Sequence, residues 1–90
     1  MNYILKTDGK KIRYSPVAKE YNLKELQKAV GGTIDIVRLS KSLTMIVNDD
    51  GFALGLERNP SATKLYREAF KISRGLIVGD VLICSSKLVT

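Results

Sequence analysis

The 90-residue chain has no histidine, no tryptophan, two prolines and a single cysteine, Cys84. Without imidazole, no side chain titrates near neutrality unless its environment shifts it, and the commonest proton shuttle is missing. One cysteine cannot close an intrachain disulfide, which fits a reducing compartment. Cys84 lies in the apolar run Val81-Leu82-Ile83-Cys84 with no histidine to activate it, so it reads as a small buried hydrophobe, not a nucleophile. No apolar run approaches the roughly 18 residues of a membrane span. The stretch from Met1 to Lys6 lacks the apolar core of a signal peptide. A cytoplasmic protein with no membrane partner is expected.

Reactive constellations are scarce too. Asp49 and Asp50 are the one adjacent pair of carboxylates, and Gly51 after them marks a solvated turn in place of a metal site. The glycines at 31, 32, 51, 55, 75 and 79 fit neither a phosphate loop nor a dinucleotide fingerprint. No catalytic residue, metal or cofactor is expected, and the chain reads as a binding protein, not an enzyme.

What is present is an ordinary globular balance, 44% apolar and 27% charged, sized for one domain over 1–90. So short a chain buries only roughly 60–65% of its unfolded surface, so a deep cleft would need more than one subunit. Fifteen basic residues against nine acidic ones give a net charge of +6. Nine of the basic residues and four of the acidic lie in 1–41, so the first half carries most of the excess. Such a surface attracts phosphates on nucleotides or nucleic acid.

Tyr3 to Lys6 reads as a strand, and Lys11 to Tyr14 pairs back on it across a Thr7-Asp8-Gly9-Lys10 turn, making an N-terminal hairpin over 1–16. Asn22 caps a helix from Leu23 to Val30, with Leu23, Leu26 and Val30 on one apolar face and Gly31-Gly32 as its stop. Strands follow at Thr33–Leu39, Leu43–Val47 and Phe52–Leu56, the last two joined by Asn48-Asp49-Asp50-Gly51. Asn59 and Pro60 start a second helix whose inner face is Ala62, Leu65 and Ala69 with Tyr66 and Ile72. Leu76–Val78 and Val81–Cys84 close the chain as a bent strand or hairpin. The fold class is α+β: a small, mostly antiparallel sheet with two short helices packed on one side.

The segment Leu23-Lys24-Glu25-Leu26-Gln27-Lys28-Ala29-Val30-Gly31-Gly32, then Ile34 to Val37, Val47 to Gly51, Gly55-Leu56, Asn59 and Ile77 to Asp80 form an ordered signature. Over 23–84 the chain resembles a family of small phage, plasmid and bacterial proteins recorded as a domain of unknown function. Members often carry proline after the Gly-Leu step, where this chain has Glu57. The resemblance implies a fold class and a mobile-element setting, and no activity.

Polar residues at one end of the sheet supply the candidate ligand contacts: Arg58, Asn59, Ser61 and Thr63 at the second helix start, Lys64 and Arg67 one turn on, and Asn48 in the neighbouring turn. A helix N-terminus beside an arginine suits a phosphate, although the same residues serve equally as caps. Lys10, Lys11 and Arg13 are expected to steer anions from further out. Interleaved with Tyr3, Tyr14 and Tyr21, they also suggest stacking of single-stranded nucleic acid. The expected function is sequestration of an anionic, nucleotide-type ligand by a homo-oligomer of mobile-element origin, an anti-defence role. The alternatives are non-specific nucleic-acid binding and inhibition of a host protein. The apolar Val81–Leu88 stretch is a candidate open edge for pairing across a dimer axis.

Overall fold

A computed structural model describes residues 2–89, so the two terminal residues of the expected 1–90 domain lie outside it. Strands β1 (Tyr3–Leu5) and β2 (Lys11–Arg13) form the N-terminal hairpin. Helix α1 (Leu23–Val30) leads to β3 (Ile34–Arg38) and β4 (Leu43–Asn48). Helix α2 (Pro60–Phe70) precedes β5 (Val81–Ser85) and a single 3-10 turn, Ser86–Leu88. All four pairings are antiparallel and give one sheet in the order β2-β1-β5-β4-β3. The α+β class and its antiparallel sheet are therefore as expected.

The helices, however, cover opposite faces of this sheet. Successive side chains of a strand point to opposite sides. Leu82 and Cys84 of β5, with Ile46 of β4, pack against Leu26, Ala29 and Val30 of α1. Val81, Ile83 and Met45 pack with Ala62 of α2, and Leu65 and Tyr66 join them. The continuous apolar runs Met45-Ile46-Val47 in β4 and Val81-Leu82-Ile83-Cys84 in β5 are the mark of strands covered on both faces.

Other elements also differ from expectation. Phe52–Leu56 is a turn, closed by Leu54 N–H donating to the Asp50 carbonyl and Leu56 N–H to that of Gly51. Phe52 and Leu54 stand out at 69% and 60% exposure, so they have no sheet partner to bury them. Leu76–Val78 forms no regular strand; one bridge joins Val78 to Arg58. β5 is the central strand, paired on both sides, and the sheet edges are β2 and β3. An open edge at Val81–Leu88 is thus excluded. Leu23 is 59% exposed, and Ala69 and Ile72 are exposed too, because α1 and α2 each present one narrow stripe to the sheet.

Both helix starts are built as the sequence suggests. Asn22 accepts from Glu25 N–H while the Glu25 carboxylate accepts from Asn22 N–H, a reciprocal cap. Asn59 accepts from Ala62 N–H, with Pro60 in the first turn. Gly31 ends α1 in the left-handed conformation, at φ 77°.

Candidate functional site

The segment 57–59 runs beside 77–79. Asn59 N–H donates to Ile77 O at 2.9 Å and Gly79 N–H to Glu57 O at 2.6 Å. Arg58, bridged to Val78 between them, is held at the mouth of α2 with its side chain exposed. One turn on, Lys64 is exposed and Arg67 half-buried. Arg67 Nε donates to Gly75 O at 3.0 Å, which ties the segment after the helix back onto α2. Together with Pro60, Thr63, Glu68 and Leu76, these three cations line a shallow groove of about 390 Å³.

Three of the expected contacts prove to be structural instead. Asn59 is fully buried, its Oδ1 accepts from Ala62 N–H, and its Nδ2 donates to Leu5 O at 3.0 Å and Gly79 O at 2.9 Å. Both amide N–H groups are spent, so neither is left to donate to an anion. Thr63 lines the groove, but its hydroxyl accepts from Ile77 N–H at 2.9 Å and donates to Ile77 O at 3.4 Å. Asn48 is buried between α1 and the 49–50 turn, where it donates to Val30 O and accepts from Asp50 N–H. The helix start is also largely closed. Pro60 has no N–H, and Asn59 takes those of Ala62 and Thr63.

Ser61 faces a second groove, of about 310 Å³, between α2 and the hairpin; Tyr3, Lys11, Lys64, Leu65 and Glu68 also line it. Lys11 and Arg13 oppose Leu5 and Tyr3 across β1, and both of those belong to the α2-face cluster. Two of the three steering cations thus share a face with the groove cations. Lys10 sits in the hairpin turn, 3.9 Å from Asp8. Lys11 Nζ lies 5.0 Å from the centre of the Tyr3 ring, within cation–π range. Lys6 pairs with Asp80 and Lys10 with Asp8, and no described carboxylate lies in ion-pair range of Arg58, Lys64, Arg67 or Lys11.

The tyrosines do not form the expected stacking surface. Tyr14 and Tyr21 stack on each other at 5.8 Å, nearly parallel. Tyr21 donates to Tyr14 O and Tyr14 to Glu25 O, so both hydroxyls are engaged within the fold. Cys84 is buried, and burial pushes its thiol up to about 11, which leaves it protonated and inert at neutral pH. The sequence reading missed Glu68 and Leu76. Glu68, four residues after Lys64, was open to recognition as its helix-face neighbour, whereas Leu76 reaches the groove only through the tertiary fold.

A family model described as "Domain of unknown function (DUF3846)" matches residues 1–88. The chain belongs to the DUF3846 family. The match extends beyond the expected 23–84 stretch and takes in the hairpin that supplies Lys11 and Tyr3. No curated protein and no solved structure matches this DUF3846 chain. Among its described residues no helix is long and apolar enough to cross a membrane.

Proposed function

We propose that this DUF3846 chain is a non-enzymatic binding protein that holds an anionic, nucleotide-type ligand in the groove beside α2. The observation that carries this reading is the convergence of Arg58, Lys64 and Arg67 on one groove with no carboxylate paired to them among the described residues. Guanidinium groups suit phosphate through two parallel N–H donors, and Lys64 adds a compact charge. The backbone of Arg58 is held by its bridge to Val78, and the Arg67 guanidinium is tied by its bond to Gly75, so Arg67 enters binding with part of its ordering cost already met. In the mobile-element setting that the sequence resemblance implies, such a protein acts in the cytoplasm by withholding its ligand, an anti-defence role. A homo-oligomer fits this role, because a second copy laid over an open groove would slow ligand escape.

The test is calorimetric titration with nucleoside phosphates, cyclic dinucleotides and ADP-ribose derivatives, followed by denaturation and recovery of the ligand. Binding that weakens about tenfold in Arg58→Ala and Arg67→Ala, but not in the distant Lys87→Ala, is the expected result. The recovered ligand should be unchanged. Failure of every compound to bind rejects the reading, and recovery of a cleaved product makes the protein an enzyme. Gel filtration with light scattering checks the oligomer.

A further inference from the structure

The groove of the proposed function does not end at α2's outer side. Lys64 and Glu68 line both grooves, with Arg58 and Arg67 on one side and Lys11 and Ser61 on the other. The two cavities, about 390 and 310 Å³, therefore flank one strip of helix surface. The first has Arg58 and Arg67 of its own and the second has Lys11, and the Glu68 carboxylate lines both. We infer that the ligand carries two phosphate groups separated by a ribose, one seated by Arg58 and Arg67, the other by Lys11, with Lys64 bridging. This inference rests on the proposed function for its first seat and adds the second.

Two physical points support it. A single phosphate would leave the second groove empty, yet Lys11 lines it with its ammonium over the Tyr3 ring. Adjacent phosphates, as in a diphosphate, would bring negative charge against Glu68. A sugar between the phosphates puts a hydroxyl donor there, and a carboxylate is a good acceptor for ribose hydroxyls. Leu5 and Leu65 give the second groove an apolar wall for a base.

Titrations of the intact protein with AMP, ADP, the linear dinucleotide pApA and cyclic di-AMP test this. Tightening of about tenfold or more for pApA or cyclic di-AMP over both AMP and ADP is expected, and Lys11→Ala should weaken the dinucleotides by a larger factor than AMP, which narrows that gain. Whichever of the linear and cyclic forms gains identifies the source of the ligand. The deoxyribose version of pApA should bind severalfold more weakly, and Glu68→Gln should narrow that difference. AMP or ADP binding as tightly as the dinucleotides, or a Lys11→Ala loss equal for all four, overturns the second seat while leaving the first intact. Equal binding of the deoxyribose compound overturns the ribose assignment. Absence of binding by all four, or indifference to Arg58→Ala, instead removes the proposed function beneath it.

Discussion

Asn59→Ala puts the central structural claim at most risk. The wild-type amide is completely buried and makes three hydrogen bonds: one to the Ala62 N–H as cap, two to the carbonyls of Leu5 and Gly79. Loss of the cap costs about 1 kcal/mol. Each carbonyl left without its donor in a dry site adds about 1–3 kcal/mol. The expected loss is about 3–7 kcal/mol, set against roughly 5–13 kcal/mol for a domain of this size. Asn59→Asp separates the two parts. It keeps the cap acceptor but aims a carboxylate at two carbonyl oxygens, which raises its pKa in the folded state above the unfolded value. A raised carboxyl pKa means the folded protein binds the proton more tightly, so this variant should gain stability as pH falls through the mild acid range. Urea denaturation followed by circular dichroism at several pH values measures both. A loss below about 1 kcal/mol for Asn59→Ala, or an Asn59→Asp pH profile parallel to wild type, refutes the three-bond account.

Alkaline pH should destabilise the wild type. Burial raises the Cys84 thiol from 9.0 to about 11 and raises Tyr14 and Tyr21, while the hydrogen bond and charge of Asp80 raise Lys6. Every one of these folded-state values lies above its unfolded one, so the stability they contribute is complete below the unfolded pKa and is lost as pH climbs. Urea midpoints should fall between pH 9 and 11, and less steeply in Cys84→Ala. Gly79→Ala should cost more than Gly31→Ala in thermal melts. Both residues have positive φ, but a Cβ at Gly79 would lie 2.7 Å from Leu56 Cδ1, whereas one at Gly31 meets nothing within 4 Å. Thr63→Val should cost about 1–3 kcal/mol by stranding the Ile77 N–H, yet leave ligand affinity in calorimetry unchanged.

Local chemistry was the legible part of the sequence. The bounds of α1, its Asn22 cap and Gly31 stop, the Asn59-Pro60 start of α2 and the antiparallel pairing of the hairpin all depend on residues within a few positions of each other. The placement of the helices depends on which strand lies in the middle. That is decided by contacts between β5 and two strands far away in sequence, β1 and β4. A continuous apolar run such as Val81–Cys84 serves equally for a terminal edge strand or a central one, and only the cover on both faces distinguishes them. Phe52–Leu56 misled for a related reason. Its apolar residues imitate a strand, but backbone bonds from Leu54 and Leu56 to Asp50 and Gly51 close a turn first. Within the candidate site, residue type was legible and direction was not. Nothing local tells whether an asparagine at a helix start looks inward or outward.

That direction differs from residue to residue along the helix start. Asn59 and Thr63 turn inward, where buried carbonyl and N–H groups require partners and a neutral side chain supplies them without the cost of burying an ion, while Ser61 faces the second groove. The cations, Arg58 and Lys64, stay outside, where the sheet and helix do not depend on them for packing. Removing an outward cation therefore changes the field of the groove and little of the fold, while removing an inward amide changes the fold and with it the groove. The two kinds of substitution are separable by experiment because one short sequence, Arg58 to Lys64, serves both purposes with different residue types. Five of the fifteen basic residues thereby meet on a face shared by α2 and the edge hairpin, with Lys11 and Arg13 on β2 continuing what Arg58, Lys64 and Arg67 begin.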